Sequence, residues 1–333
     1  MKSRLSPSPG SPTFDTYFVF RGKAFYHMVA TLARYNALSL SRFLAAALRS
    51  APLWARYSAM RIATWNVNSI KQRLDNLVSW LAARQPDIVC LQETKCIDQE
   101  FPRESLESLG YNIATHGQKA FNGVAFLSKL PFDEVKQGLS GDESDAQARF
   151  LEAQFSTKSG VIRIANLYLP NGNPPETEKY DYKIKWMKRL LAFADERLSL
   201  EEPLVLAGDF NVIPEGIDVS NPEAWVSDAL FLPQTRQHFR ALTNLGLVDA
   251  VRATTDAPGV YTFWDYQAGA WQKNRGIRID HMLLSPQAAD RLNGAGIDKH
   301  VRAWERPSDH VPVFIDLAIE PRTPNRGDSG GPR

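Results

Sequence analysis

Residues 60–320 read as one α/β domain in which two β-sheets can pack face to face with helices outside. Three observations predict it. Near-continuous apolar runs of strand length recur along the chain, as strands buried on both faces do. Segments with helical period lie between them. One run, "RFLEAQF", alternates apolar and polar residues, which sets one face against a core and the other toward water. Strands interleaved with helices make an α/β fold. The order of the strands is not fixed by the pattern alone.

The elements follow in order. "RIATWNV" is a strand, and "RLDNLVSWLAAR" is a helix with Leu74, Leu77, Trp80 and Leu81 on one face. Pro86 ends that helix, and "DIVCLQE" is a buried strand. "GVAFLS", "RFLEAQF" and "VIRIANLYL" are further strands. A long helix spans Glu178 to Leu198 and another Gln234 to Leu245. "PLVLAGDF" precedes the second helix, and "RIDHMLLS" and "VPVFIDLAI" complete the set. The tail 321–333, "PRTPNRGDSGGPR", is Pro/Gly-rich, and disorder is expected there.

Residues 1–59 differ from the rest. They hold eight Lys and Arg against one acid, Asp15, and contain a stretch that can form a basic amphipathic helix. Three readings are open: an upstream start with Met60 as the true first residue, a natural disordered extension, or an organelle-targeting segment. Met60 stands directly before the first strong strand, which favours the upstream start. The whole-chain charge of +2 therefore conceals a net acidic domain. A nucleic-acid partner would have to be held by a local basic surface and by metal ions.

The chain has 333 residues, 44% of them hydrophobic, enough for a substantial core. Its two cysteines, Cys90 and Cys96, match no zinc spacing and make no disulfide framework. A reducing, bacterial-type cytoplasm is the expected compartment. No stretch approaches the ~18 apolar residues of a membrane span, so no membrane partner is expected.

The informative pattern lies at the strand ends. "RIATWNVN" ends in Asn66 and Asn68, "DIVCLQETK" in Glu93, and "VIRIANLYLPNG" in Tyr168 and Asn171. "PLVLAGDFN" ends in Asp209 and Asn211, Asp280 sits in "RIDHML", and Asp309 and His310 open the last strand. Taken singly, each has an ordinary reading: an Asx-turn, an exposed strand end, a core aromatic. Together they are a set of hard oxygen ligands with one His and one Tyr, carried on a scaffold that can aim several loops at one point. Carboxylate and amide oxygens suit Mg²⁺ or Mn²⁺ rather than Zn²⁺. Glu93 with Asp309 and Asn66 or Asn68 can hold such an ion on a phosphate. Asp280 in an apolar strand needs a partner, and an imidazole serves. Asp209 can orient or deprotonate a water, while Asn211 and Tyr168 can donate to phosphate oxygens. The chemistry these groups share is phosphodiester hydrolysis.

"WNVNSI", "LQETK", "NLYLPNG", "GDFN", "RGIRIDHMLLS" and "SDHVPV", in that order, resemble the exodeoxyribonuclease III / apurinic-apyrimidinic endonuclease family of the endonuclease–exonuclease–phosphatase superfamily. The resemblance runs from about residue 60 to 320. It implies a four-layer sandwich of two packed mixed β-sheets flanked by helices. It implies a Mg²⁺-dependent monomer, with Mn²⁺ as a substitute, that cuts duplex DNA 5′ to abasic sites. It also implies 3′-to-5′ degradation and clearing of blocked 3′ ends. Glu93 matches the metal glutamate, with Asn66 and Asp309 near the metal. Asn68 stands where some members carry Asp, so it is a possible fourth ligand. Tyr168, Asn171, Asp209 and Asn211 fall on catalytic and phosphate positions, and Asp280 and His310 on the supporting acid and the catalytic His. "YTFWDYQAGAWQKNRGIRI" resembles the lining of an abasic-sugar pocket, with Phe263, Ile277 and Ile279 as its apolar groups. "HGQKAFNG", with Gln118 and Lys119, resembles a loop that touches the DNA backbone. Two other readings keep the scaffold: a phosphodiesterase for another phosphoester or a nonspecific deoxyribonuclease, and a catalytically silent binding protein.

Overall fold

Each apolar run becomes a strand because its alternate residues face two different layers. In β1 (Met60–Asn66), Met60 and Ile62 point between the sheets, while Ala63 and Trp65 point outward to a helix. In β8 (Leu204–Asp209), Val205 and Ala207 point between the sheets and Leu204 and Leu206 outward. The period of two in strands accounts for both.

The computed structural model describes residues 59–322. The extension before residue 59 and the tail beyond 322 lie outside the described residues. Among the described residues twelve strands form two six-stranded mixed sheets. The first sheet contains β1, β2 (Ile88–Gln92), β3 (Asn112–His116), β4 (Val124–Ser128), β11 (Leu292–Ile297) and β12 (Val313–Leu317). Its order is β11-β12-β1-β2-β4-β3. The second contains β5 (Glu134–Gln137), β6 (Phe150–Thr157), β7 (Gly160–Tyr168), β8, β9 (Val248–Asp249) and β10 (Asp280–Leu284), in the order β5-β6-β7-β8-β10-β9.

Three apolar layers separate the elements. The inner one joins Ile62, Cys90 and Phe126 of the first sheet to Phe155, Ile164 and Met282 of the second. Helix α1 (Leu74–Arg84) covers the outer face of the first sheet through Leu77, Trp80 and Leu81. The short α2 (Arg103–Glu107) joins it through Leu106. Helices α3 (Glu178–Leu198) and α4 (Pro233–Asn244) cover the second sheet through Met187, Leu190, Phe239 and Leu242. The expected four-layer α/β architecture is the one observed. No helix among the described residues is long and apolar enough to cross a membrane.

The same strand parity sets the site. Asn66, Tyr168, Asp209 and Asp280 continue the inward-facing series of β1, β7, β8 and β10, so all four enter the space between the sheets at one end. Just below them, Gln92 Nε2 donates to Thr64 Oγ1 at 2.9 Å and to Asn166 Oδ1 at 2.7 Å. Asn166 Nδ2 in turn donates to Leu91 O and Ala125 O. This buried amide pair ties the two sheets together beneath the polar cluster through the Gln92 nitrogen and both polar atoms of the Asn166 amide, while Gln92 Oε1 is buried without a partner.

Gly208 allows the close approach of β7 to β8 beside Asp209. Its φ is +155°, and an added Cβ would lie 1.9 Å from the Leu167 carbonyl oxygen. A backbone atom cannot give way cheaply, so Gly208→Ala should cost about 3 kcal/mol, a Tm loss on the order of 10 °C for a domain of this size. An unchanged Tm would contradict the packing of β7 on β8.

Candidate active site

The turn before β12 delivers His310. Ser308 Oγ donates to Asn66 O at 2.7 Å and accepts from His310 N at 3.2 Å. This pins the Ser-Asp-His turn to the end of β1. His310 Nδ1 lies 2.9 Å and 3.1 Å from the two oxygens of Asp280, and its Nε2 lies 3.7 Å from Asp209 Oδ2. Burial opposes the imidazolium, but Asp280 and Asp209 outweigh it and hold the His310 pKa well above the ordinary value. Burial pushes the Asp209 carboxyl up, and its neighbours Asp280 and Glu93 add to the rise against the pull of His310.

Glu93, Asp209 and His310 each place a ligand atom within 4.8 Å of the others. Asn66 sits between the acids, its Nδ2 donating to Glu93 Oε1 at 2.8 Å and Asp209 Oδ2 at 3.0 Å. Its Oδ1 accepts from Asn68 N, which fixes the orientation of the amide. In this arrangement Asn66 braces the two carboxylates. Lys95, which the sequence reading passed over, lies 2.7 Å from Glu93 Oε2 and donates to Asn68 Oδ1 at 2.5 Å. Burial works against the Glu93 charge, yet Lys95 and Asn66 hold its carboxyl below the ordinary value. Asn68 Nδ2 donates to Asp309 Oδ1 at 3.0 Å, so Asp309 joins the cluster through Asn68. The donors fit a divalent cation: Glu93 and Asp209 supply hard oxygens, while an imidazole held protonated has no lone pair to offer.

The backbone is bent to make this set. Glu93, Asn68 and Asn211 have φ of +50°, +43° and +47°. Asn tolerates that region, whereas Glu does so at a cost of about 1 kcal/mol or more, a strain that clusters at functional sites.

Tyr168 is half-buried, with the Arg149 guanidinium over its ring at 4.7 Å. Burial, with Glu93 and Asp209 nearby, raises its phenol well above the ordinary value, so it is a neutral donor. Asn171 Nδ2 donates to Asn211 Oδ1 at 3.0 Å, and Asn211 Nδ2 to Leu169 O at 2.9 Å. A second residue the sequence reading missed holds both: Lys183 of α3 is fully buried, and its Nζ donates to Asn171 O at 3.0 Å and Asn211 O at 2.6 Å. The signal was present, since Lys183 falls on the apolar stripe of Tyr180, Ile184 and Met187.

Burial pulls Lys183 down to about 7, against Asp209 and Asp228. The unfolded chain keeps that proton up to the ordinary value of 10.5. Between these limits the folded state binds fewer protons, so stability rises with pH across the window. Lys183→Met should remove that slope. A wild-type Tm that tracks the variant at a constant difference throughout the window would contradict it.

The apolar residues separate. Thr262 N and Phe263 N both donate to Ile277 O, and Val311 N donates to Thr262 O. This small ladder sets the Phe263 ring edge-to-face on His310 at 4.9 Å. Phe263 is half-buried, whereas Ile277 and Ile279 are each 2% exposed and lie in the core beneath it. Gln118 is half-buried and accepts from Asn122 Nδ2 and Ala148 N, which shapes its loop, while Lys119 is exposed.

The sequence of residues 63–310 matches the model of the endonuclease/exonuclease/phosphatase family. Exodeoxyribonuclease III of Haemophilus influenzae is 33% identical over 266 residues, 78% of this chain and all of that protein. Among solved structures, an AP endonuclease from Archaeoglobus fulgidus superposes with a TM-score of 0.74 at 35% identity, over 78% of this chain and 99% of that one. A 3′-5′ exonuclease from Neisseria meningitidis superposes with a TM-score of 0.74 at 38% identity, over the same shares of the two chains.

Proposed function

This chain belongs to the endonuclease/exonuclease/phosphatase family, within its exodeoxyribonuclease III and AP endonuclease branch, and from that membership we propose that it is a Mg²⁺-dependent DNA-repair nuclease. It hydrolyses the phosphodiester 5′ to an abasic site in duplex DNA and also works on damaged 3′ ends. The observation that carries the reading is the His310–Asp280 pair turned toward Asp209 and Glu93.

Glu93 would hold a divalent ion at this cluster, and the ion would supply Lewis-acid stabilisation of charge on the phosphate. The protein groups do the rest. Asp209, its carboxyl raised by burial, takes a proton from water, since a base raised toward the working pH is suited to that task. The His310 imidazolium and the Asn211 and Asn171 amides donate to the phosphate oxygens as charge builds. Tyr168, neutral and within the same cluster, donates toward the leaving 3′ oxygen. The water oxygen bonds to phosphorus as the P–O3′ bond breaks; the 3′ oxygen takes a proton and leaves as the 3′-hydroxyl, and the phosphate stays on the 5′ side of the lesion. A test is polymerase extension of the cut strand: extension supports incision on the 5′ side, and a blocked end opposes it.

Phe263 on the His310 ring forms the apolar wall against which a sugar lacking its base fits more readily than an intact nucleotide. Phe263→Ala should reduce the preference for abasic over intact duplex roughly tenfold in kcat/KM, within the usual range of an apolar pocket contact. An unchanged ratio removes Phe263 from the pocket. Dominant 3′-end processing is a second reading, supported by the 38% identity to the Neisseria exonuclease.

A further inference from the structure

We propose that Arg73 is a positioning residue that locks together three loops flanking the site, those of Asn68, Tyr266 and Pro307. The inference rests on the nuclease reading above. Arg73 stands at the start of α1, where Arg73 N donates to Ser69 O and Arg73 O accepts from Leu77 N. The helix start therefore fixes its backbone. Its guanidinium then reaches three separate segments. Nη1 donates to Asn68 O at 2.7 Å, and also to the neighbouring Gln72 Oε1 at 2.6 Å. Nη2 donates to Tyr266 Oη at 2.9 Å and more distantly to Pro307 O at 3.4 Å. Tyr266 Oη donates in turn to Pro307 O at 2.9 Å, which closes the ring of contacts.

Each acceptor belongs to a different working part. Asn68 bonds Asp309 through its side chain. Pro307 lies three residues before His310 in the turn that aims the imidazole. Tyr266 lies three residues after Phe263. Arg302 holds the Tyr266 ring from another direction at 5.0 Å and donates to Trp264 O. A planar guanidinium is the group able to hold several acceptors at once in fixed geometry, and a lysine ammonium is not its equivalent. Because its terminal nitrogens are engaged by the protein and Nε, although without a partner, is buried, Arg73 is not placed as a phosphate ligand. It sits in the wall of a groove of about 620 Å³ that also includes Lys71, Tyr266 and Arg306.

The test compares wild type, Arg73→Ala, Arg73→Lys, Tyr266→Phe and the Arg73→Ala/Tyr266→Phe double variant on an abasic-analogue duplex, with Tm measured in parallel. Arg73→Ala should lower kcat about 30-fold with KM within threefold, as expected for a group that orders the site without touching substrate. Arg73→Lys should recover only part of the loss. The double variant should lose less than the product of the two single losses, because both changes remove the Arg73–Tyr266 hydrogen bond while only Tyr266→Phe also removes the Tyr266 bond to Pro307 O. Amide hydrogen exchange of Arg73→Ala should quicken in residues 265–269 and 305–310 and stay unchanged in 204–209. Wild-type kcat in a folded Arg73→Ala, multiplying losses in the double variant, or unaltered exchange in both loops each overturns the proposal. A wild type that leaves the abasic duplex uncut while exchange responds as expected overturns the nuclease reading instead, and with it the catalytic part of this one.

Discussion

His310→Ala should lower kcat on abasic duplex DNA by about 10³-fold or more. The imidazolium is held by Asp280 at 2.9 Å and faces Asp209 at 3.7 Å. In the proposed mechanism it is a preorganised cation that meets the charge developing on the phosphate. General acid–base groups contribute about 10²–10⁴-fold, and a fixed donor to developing charge a similar factor. The loss should fall on kcat, because the group works in the transition state. Asp280→Asn should follow it in direction with a smaller loss, since the imidazole keeps its place but loses the acid that holds it charged. Steady-state kinetics of the three proteins check this, and equal cleavage by wild type and His310→Ala would remove His310 from the mechanism.

The second large effect is at Asp209. In the proposed mechanism Asp209→Asn should also lower kcat at least about 10³-fold, because an amide cannot accept the water's proton. Its stability should move the other way. Burial raises the Asp209 carboxyl in the folded chain, so the folded state holds that proton to higher pH than the unfolded one. Such a group loses stability as pH rises from the ordinary carboxylate range toward its folded value. Asparagine carries no such penalty. The expected result at neutral pH is an inactive protein whose Tm equals or exceeds that of wild type, the trade between stability and function seen at strained sites. A marked fall in Tm with activity lost would instead mark Asp209 as a structural acid.

The sequence made the central strands legible and the edges not. β1, β2, β4, β6, β7, β8, β10 and β12 all coincide with apolar runs. The four unrecognised strands are β3, β5, β9 and β11, and these are the outer strands of the two sheets. All four residues of β5 are exposed. An edge strand packs on one side only and carries polar residues that blunt it, so its hydrophobic signal is weak. The two long helices were legible because twelve or more residues repeat an apolar stripe, and their observed ends differ by at most one residue from those expected.

The site divides on the same physical ground. Carboxylates and amides that end apolar strands stand out, and parity of two then carries Asn66, Tyr168, Asp209 and Asp280 into one space. What a linear pattern does not show is who braces whom. Asn66 was expected beside the metal, and its amide is turned between Glu93 and Asp209. Asp309 is expected with Glu93; among the described residues Glu93, Asp209 and His310 lie within 4.8 Å of one another, and Asp309 reaches them through Asn68. Lys95, Lys183 and Arg73 each bond at least one group distant in sequence; the apolar stripe marks Lys183 as buried, but a lone basic residue carries no signal of its partner.

The most direct test of the account uses two short duplexes, one with a single abasic-site analogue and one intact with a recessed 3′ end. Each is incubated with wild type in Mg²⁺, with wild type in EDTA, and with His310→Ala in Mg²⁺. Wild type in Mg²⁺ should make a single cut 5′ to the lesion, lost in EDTA and in the variant, and should shorten the intact duplex more slowly from its 3′ end. Cleavage of neither duplex by wild type in Mg²⁺ or Mn²⁺, or incision that persists in EDTA, would contradict the proposed function.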